Sequence, residues 1–122
     1  MCNLITMQSG TGETIRVADI KKKYVENIIA NAHLCKYIEK IVLFGSSIRE
    51  DCTDESDVDI AIFGTVRENR CLTSSSYLKF LNSLFEFDFS QHYDTLYFDL
   101  NKKYSDRILY DIEQGEVLYV HQ

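Results

Sequence analysis

Residues 43–64, LFGSSIREDCTDESDVDIAIFG, decide how this chain is read. They begin within a short continuous apolar run, Lys40-Ile41-Val42-Leu43-Phe44, which stops at Gly45. Such a run suits a strand buried on both faces and followed by a turn. They close on Asp57-Val58-Asp59-Ile60-Ala61-Ile62-Phe63, an alternating stretch rich in β-branched residues that predicts a second strand, ended by Gly64. Residues 46–56, polar and charged, read as a loop with one helical turn.

The chemistry begins with the two aspartates. Residues i and i+2 of a strand share a face, so Asp57 and Asp59 are expected side by side, with Val58, Ile60 and Ile62 turned into the core. Adjacent carboxylates on a rigid strand repel unless a cation sits between them. Mg²⁺ is the natural partner, being held by one or two carboxylates plus substrate phosphates. Alone, the pair fits a solvent-facing sheet edge equally well. Gly45 adds a sharp turn that lets backbone approach a ligand closely. The following amides and the Ser46 hydroxyl are then placed to hold phosphate oxygens, and Arg49 to add a charge-assisted contact. Taken singly, these too fit a strand-ending turn with a surface arginine.

Working outward, residues 1–14 read as a loose arm or a short edge strand. From Asp19 the pattern becomes helical, with Ile20, Tyr24, Ile28, Ala32 and Cys35 in one stripe. Asp19 is the expected cap, and Lys21, Lys22 and Lys23 the expected solvated face. Residues 65–75 read as a loop. A helix with Tyr77, Phe80, Leu81, Leu84 and Phe85 on one face should follow, then a strand over 92–100. Ser105 is the expected cap of a last helix carrying Ile108, Leu109 and Ile112, before a closing strand over 116–121. Alternating helices and strands argue for one layered α/β (α+β) domain, a small mixed sheet flanked by helices.

The bulk numbers agree. A chain of 122 residues has room for one core. A net charge of −6 makes a sequence-independent grip on nucleic acid unexpected. Apolar runs are too short for a membrane span, and MCNLITMQSG makes a poor signal peptide. The 4 cysteines, Cys2, Cys35, Cys52 and Cys71, lie far apart without zinc-ligand spacing and read as reduced thiols in a cytoplasm. The aromatic residues, at helical and strand spacing, read as core, and the histidines carry no assigned role.

Together, Gly45-Ser46-x-x-Arg49 followed by Ser56-Asp57-Val58-Asp59-Ile60-Ala61 resembles the signature of the minimal nucleotidyltransferase family, in the DNA polymerase β-like superfamily. The closing segment Asp111-Ile112-Glu113-Gln114-Gly115-Glu116-Val117-Leu118-Tyr119 resembles the family's as well, so the likeness covers most of the chain. Glu50 departs from the glycine that often follows the arginine there. The resemblance implies a small mixed sheet flanked by helices, Mg²⁺ on the two DxD carboxylates, and a third carboxylate on a later strand. Asp88, Asp94 and Asp99 are the candidates. Asp94 is preferred because Tyr93-Asp94-Thr95-Leu96-Tyr97 resembles the family's strand before the last helix, and Asp99 comes next. The implied catalytic and metal set is Asp57, Asp59 and Asp94, with Gly45, Ser46 and Arg49 on the nucleotide.

Small stand-alone members of the family resemble antitoxins paired with an all-helical HEPN ribonuclease toxin, on which they attach AMP to a tyrosine. The expectation carried forward is therefore a Mg²⁺-dependent enzyme using ATP to adenylylate a helical partner protein. Two alternatives stay open: a small-molecule nucleotidyltransferase completed by a helical subunit, and a non-catalytic binding module.

Overall fold

The computed structural model describes residues 2–122. In chain order, strands β1 (Leu4–Gln8) and β2 (Thr14–Ala18) are followed by a 3-10 turn at Asp19–Lys21 and helix α1 (Lys22–Asn31). Strand β3 (Ile38–Phe44), a 3-10 turn at Gly45–Ile48 and strand β4 (Val58–Gly64) come next. Helices α2 (Glu68–Leu72) and α3 (Ser75–Phe87), strand β5 (Tyr93–Asp99), helix α4 (Ile108–Glu113) and strand β6 (Glu116–Val120) complete the chain.

The main sheet has the order β5-β4-β3-β6. β3 is antiparallel to both neighbours, whereas β4 and β5 run parallel. This is the expected fold class, a small mixed sheet flanked by helices. Why Ile41–Phe44 of β3 reads as unbroken apolar sequence is now plain, since this part of the strand is covered on both sides. Ile41 and Leu43 enter the larger core with Val58, Ile60 and Ile62 of β4, under Val25 and Ile28 of α1 and Phe80 and Leu84 of α3. Val42 and Phe44 face the other way, with Ala61, Phe98 and Ile112 of α4. Each such side chain, fully buried, contributes about 1.5–3 kcal/mol, so the strands that carry the polar motif are held by core packing on both faces.

Several expectations need correction. Of the two readings of the N-terminal stretch, the strand holds and the loose arm does not: Leu4–Gln8 pairs antiparallel with Thr14–Ala18, and Ile15 and Val17 of that hairpin are buried in the larger core. Asp19 does not cap the helix in the usual way; its Oδ1 accepts the backbone N–H groups of Asn3 and Ile20, tying the hairpin to the helix start. Lys21 is not on a solvated face but only 1% exposed. The stretch over 65–75 holds α2, and Ser74 caps α3 by accepting the Tyr77 N–H at 3.2 Å. Phe85 is exposed, whereas Tyr77, Phe80 and Leu84 are buried. Arg107, rather than Ser105, precedes α4 and makes no side-chain cap. Among the described residues, no helix is long and apolar enough to cross a membrane.

Candidate active site

Strand register assembles the site. Phe44 of β3 lies opposite Asp59 of β4, and Asp59 lies opposite Asp94 of β5. Three consecutive strands therefore bring two carboxylates and the end of β3 to one line across the sheet. Gly45 follows Phe44 at once, with φ of 74°, in the left-handed region that favours glycine. A Cβ at Gly45 would run into the Asp59 carboxylate. The glycine is thus required twice, by its backbone angle and by the space it leaves. Beyond it the chain winds into the Gly45–Ile48 turn, where the Ser46 carbonyl accepts the Arg49 N–H at 3.0 Å.

A cavity of about 550 Å³ opens here, lined by Gly45, Arg49, Asp59 and Asp94, with Arg16 of β2 and Asp111 of α4. Asp59, on the central strand, is half-buried, whereas Asp57, Asp94 and Arg49 are exposed. Burial, and then the negative charges of Asp94 and Asp57, push the Asp59 carboxyl up to about 6, against the pull of Arg49. Asp57 precedes β4 and is not part of its ladder, but its charge reaches Asp59. Arg49 Nε rests on Asp51 Oδ1 at 3.2 Å, a pair exposed on both sides. Exposed pairs of this kind are worth about 0–1 kcal/mol, so the guanidinium turns readily to a stronger anion.

Does this set fit a divalent metal? Among the described residues, no three histidine, cysteine, aspartate or glutamate side chains form a ready-made cage. The donors present are nonetheless of the right kind. Asp59 and Asp94 offer oxygen ligands alone, burial and then the Asp94 charge raise the Asp59 pKa, and Gly45 keeps the adjoining space clear. Mg²⁺ needs only one or two protein carboxylates when phosphate and water oxygens complete its shell. The residues fit.

The other candidate carboxylates lie elsewhere. Asp99 sits opposite Gly64, at the far end of β4, about 16 Å along the strand from Asp94 at 3.3 Å per residue. Its Oδ1 accepts the Asn101 backbone N–H at 2.8 Å, making it a turn residue. Asp88 is engaged by the hydroxyls of Ser90 and Tyr24, whose hydrogen bonds hold its carboxyl down at about 2. Arg16 and Asp111 are cavity residues that sequence reasoning did not single out. Arg16 stood in an unassigned stretch before the helix, where no motif marks it, and it pairs with Glu116 of β6 at 2.8 Å. Asp111 lay within the closing segment, but nothing there told its side from that of Glu113.

Comparison with known proteins bears on the same residues. The family described as "Polymerase beta, Nucleotidyltransferase" matches residues 26–122, which takes in β3, β4, β5 and the whole Gly45–Asp59 motif. A search of curated proteins returned no significant match. With the motif, the strand register and a family match over most of the chain in agreement, this protein belongs to the polymerase β-type nucleotidyltransferase family.

Proposed function

We propose that this protein transfers AMP from ATP to a hydroxyl of a partner protein, a tyrosine of a helical HEPN-type toxin, and so acts as an antitoxin. The observation that carries the reading is the alignment of Asp59 and Asp94 on adjacent strands beside the mouth made by Gly45. Gly45, Ser46 and the amides of the turn receive the phosphates, and Arg49 leaves Asp51 for the triphosphate. Asp57, Asp59 and Asp94 are the residues that would hold Mg²⁺. When bound, the ion neutralises charge on the triphosphate and orients it for in-line displacement. Asp94, an exposed carboxylate of the cavity lining, takes the proton of the attacking hydroxyl. The new bond joins the acceptor oxygen to the α-phosphorus, the α–β bridging bond breaks, and pyrophosphate departs.

A protein acceptor is favoured because the reacting carboxylate and arginine are exposed, so another molecule has to supply the opposite wall of the site. Exclusion of water from the reacting phosphate then depends on that molecule. The reading places the protein in a reducing cytoplasm, in keeping with its free cysteines.

The test is intact-mass spectrometry of the protein encoded next to this one, incubated with this chain, ATP and Mg²⁺. A gain of one or more AMP units, absent with an Asp57→Ala/Asp59→Ala variant, is the expected result. Tight association without any mass gain would point to a binding module or to a small-molecule enzyme awaiting its acceptor, and would overturn the protein-adenylylation reading.

A further inference from the structure

Lys21 has three ammonium donors, and all are used. Nζ donates to the backbone carbonyls of Asp54 at 3.2 Å and Ser56 at 2.7 Å, and to Oε1 of Gln91 at 2.7 Å. Gln91, 5% exposed, turns its Nε2 onto the carbonyls of Ser56 at 3.1 Å and His92 at 2.7 Å. The His92 carbonyl in turn accepts the Val58 N–H at 3.0 Å. One buried cluster therefore clamps the residue before Asp57 and the two residues before Tyr93. These are the entry ends of the two strands that carry Asp59 and Asp94.

A buried ammonium is expensive, and burial lowers the Lys21 pKa against the pull of Cys52 and the Asp54, Asp57 and Asp88 carboxylates. An apolar side chain of similar size would often serve stability as well or better. What an apolar residue lacks is the ability to hold several carbonyls of an irregular segment at set positions. Residues 53–57 have no ladder to place them, yet Asp57 must stand within reach of Asp59.

We propose that Lys21 is a positioning residue of the nucleotidyl-transfer site, setting the path of residues 54–57 and the alignment of β4 with β5, and thereby the spacing of the carboxylates on both. This rests on the functional reading above. It concerns a residue outside the matched stretch 26–122, so the family match does not supply it.

The test compares Lys21→Met with Ile38→Ala, a core truncation at the opposite end of β4, where Ile38 pairs with Gly64. Each variant is examined at a temperature where circular dichroism shows it folded. Calorimetry gives the Mg²⁺-dependent affinity for a non-transferable ATP analogue, and amide exchange without nucleotide reports on residues 56–58. Lys21→Met should weaken the affinity by about tenfold or more, the scale of lost supporting contacts at a metal site, and should speed exchange at Val58. Lys21→Arg should recover part of both. Ile38→Ala, with an equal or larger fall in Tm, should leave both at wild-type values. If Lys21→Met does not fold, Gln91→Leu keeps the ammonium and its bond to Ser56, removes the Gln91 side-chain bonds to Lys21, Ser56 and His92, and should give the same pattern in milder form. A folded Lys21→Met, or failing that Gln91→Leu, with wild-type affinity and exchange overturns the proposal alone. A wild-type chain that binds no Mg²⁺-nucleotide overturns the functional reading, and this inference with it.

Discussion

Replacing Asp59 by asparagine should stabilise the metal-free protein, and only at neutral to alkaline pH. In the folded chain the Asp59 carboxyl is raised from 3.8 to about 6 by burial and by the neighbouring Asp94 and Asp57. At about 1.36 kcal/mol per pH unit, the ceiling on this effect is about 3 kcal/mol. The group is only half-buried, and water screens its neighbours, so about 1 kcal/mol is the working figure. The sign follows from proton binding. Between pH 3.8 and about 6 the folded state holds a proton that the unfolded chain has released, so stability falls as pH rises through that window and stays lower above it. Asparagine has the shape of the carboxyl without its charge, so Asp59→Asn escapes the loss. For a chain of this length, 1 kcal/mol is roughly 3–5 °C in Tm. Thermal melts of both proteins from pH 4 to pH 8, in chelator, should show the variant melting higher at pH 8 and the gap closing toward pH 4. A gap of the same size at both ends of the range, or a variant less stable at pH 8, would refute the argument that burial and the neighbouring carboxylates make the Asp59 charge unfavourable in the folded chain. That unfavourable charge is what a bound cation would relieve, so stabilisation and loss of function should travel together.

Gly45→Ala should destabilise by about 1–3 kcal/mol, since alanine must adopt a strained φ and push aside the Asp59 side chain; urea denaturation measures it, and an unchanged midpoint would contradict the close packing. Arg49→Ala should leave urea stability within about 0.5 kcal/mol, because its ion pair with Asp51 is exposed, while weakening binding of a Mg²⁺–ATP analogue in calorimetry. Asp94→Asn should abolish AMP transfer in the intact-mass assay whereas Asp99→Asn keeps it, because Asp99 stands at the opposite end of β5; the reverse result would mean that the site lies elsewhere on the sheet.

The core of the fold and much of the candidate site were legible in the chain because local rules govern them. A run such as Ile41–Phe44 has no stable place except a strand covered on both faces, and the alternation from Val58 to Ile62 assigns core-facing residues through the pleat alone. The preference for Asp94 over Asp99 came from the resemblance of the strand around it, and the sequence offered no way to see that Asp59 stands opposite it. That depends on the parallel pairing of β4 with β5, a non-local choice. The same limit applies to Arg16, brought to the cavity by a hairpin whose second strand has no assignment in the sequence reading, and to Lys21. In sequence, Lys21 is one of three like residues at the start of a helix, and periodicity alone places all three in water. Only tertiary packing separates them, because three carbonyl oxygens from residues 54, 56 and 91 converge on one ammonium. Propensity and hydrophobic period report what a residue does to its own helix or strand. Which distant oxygens a buried donor will meet is decided by how those elements dock.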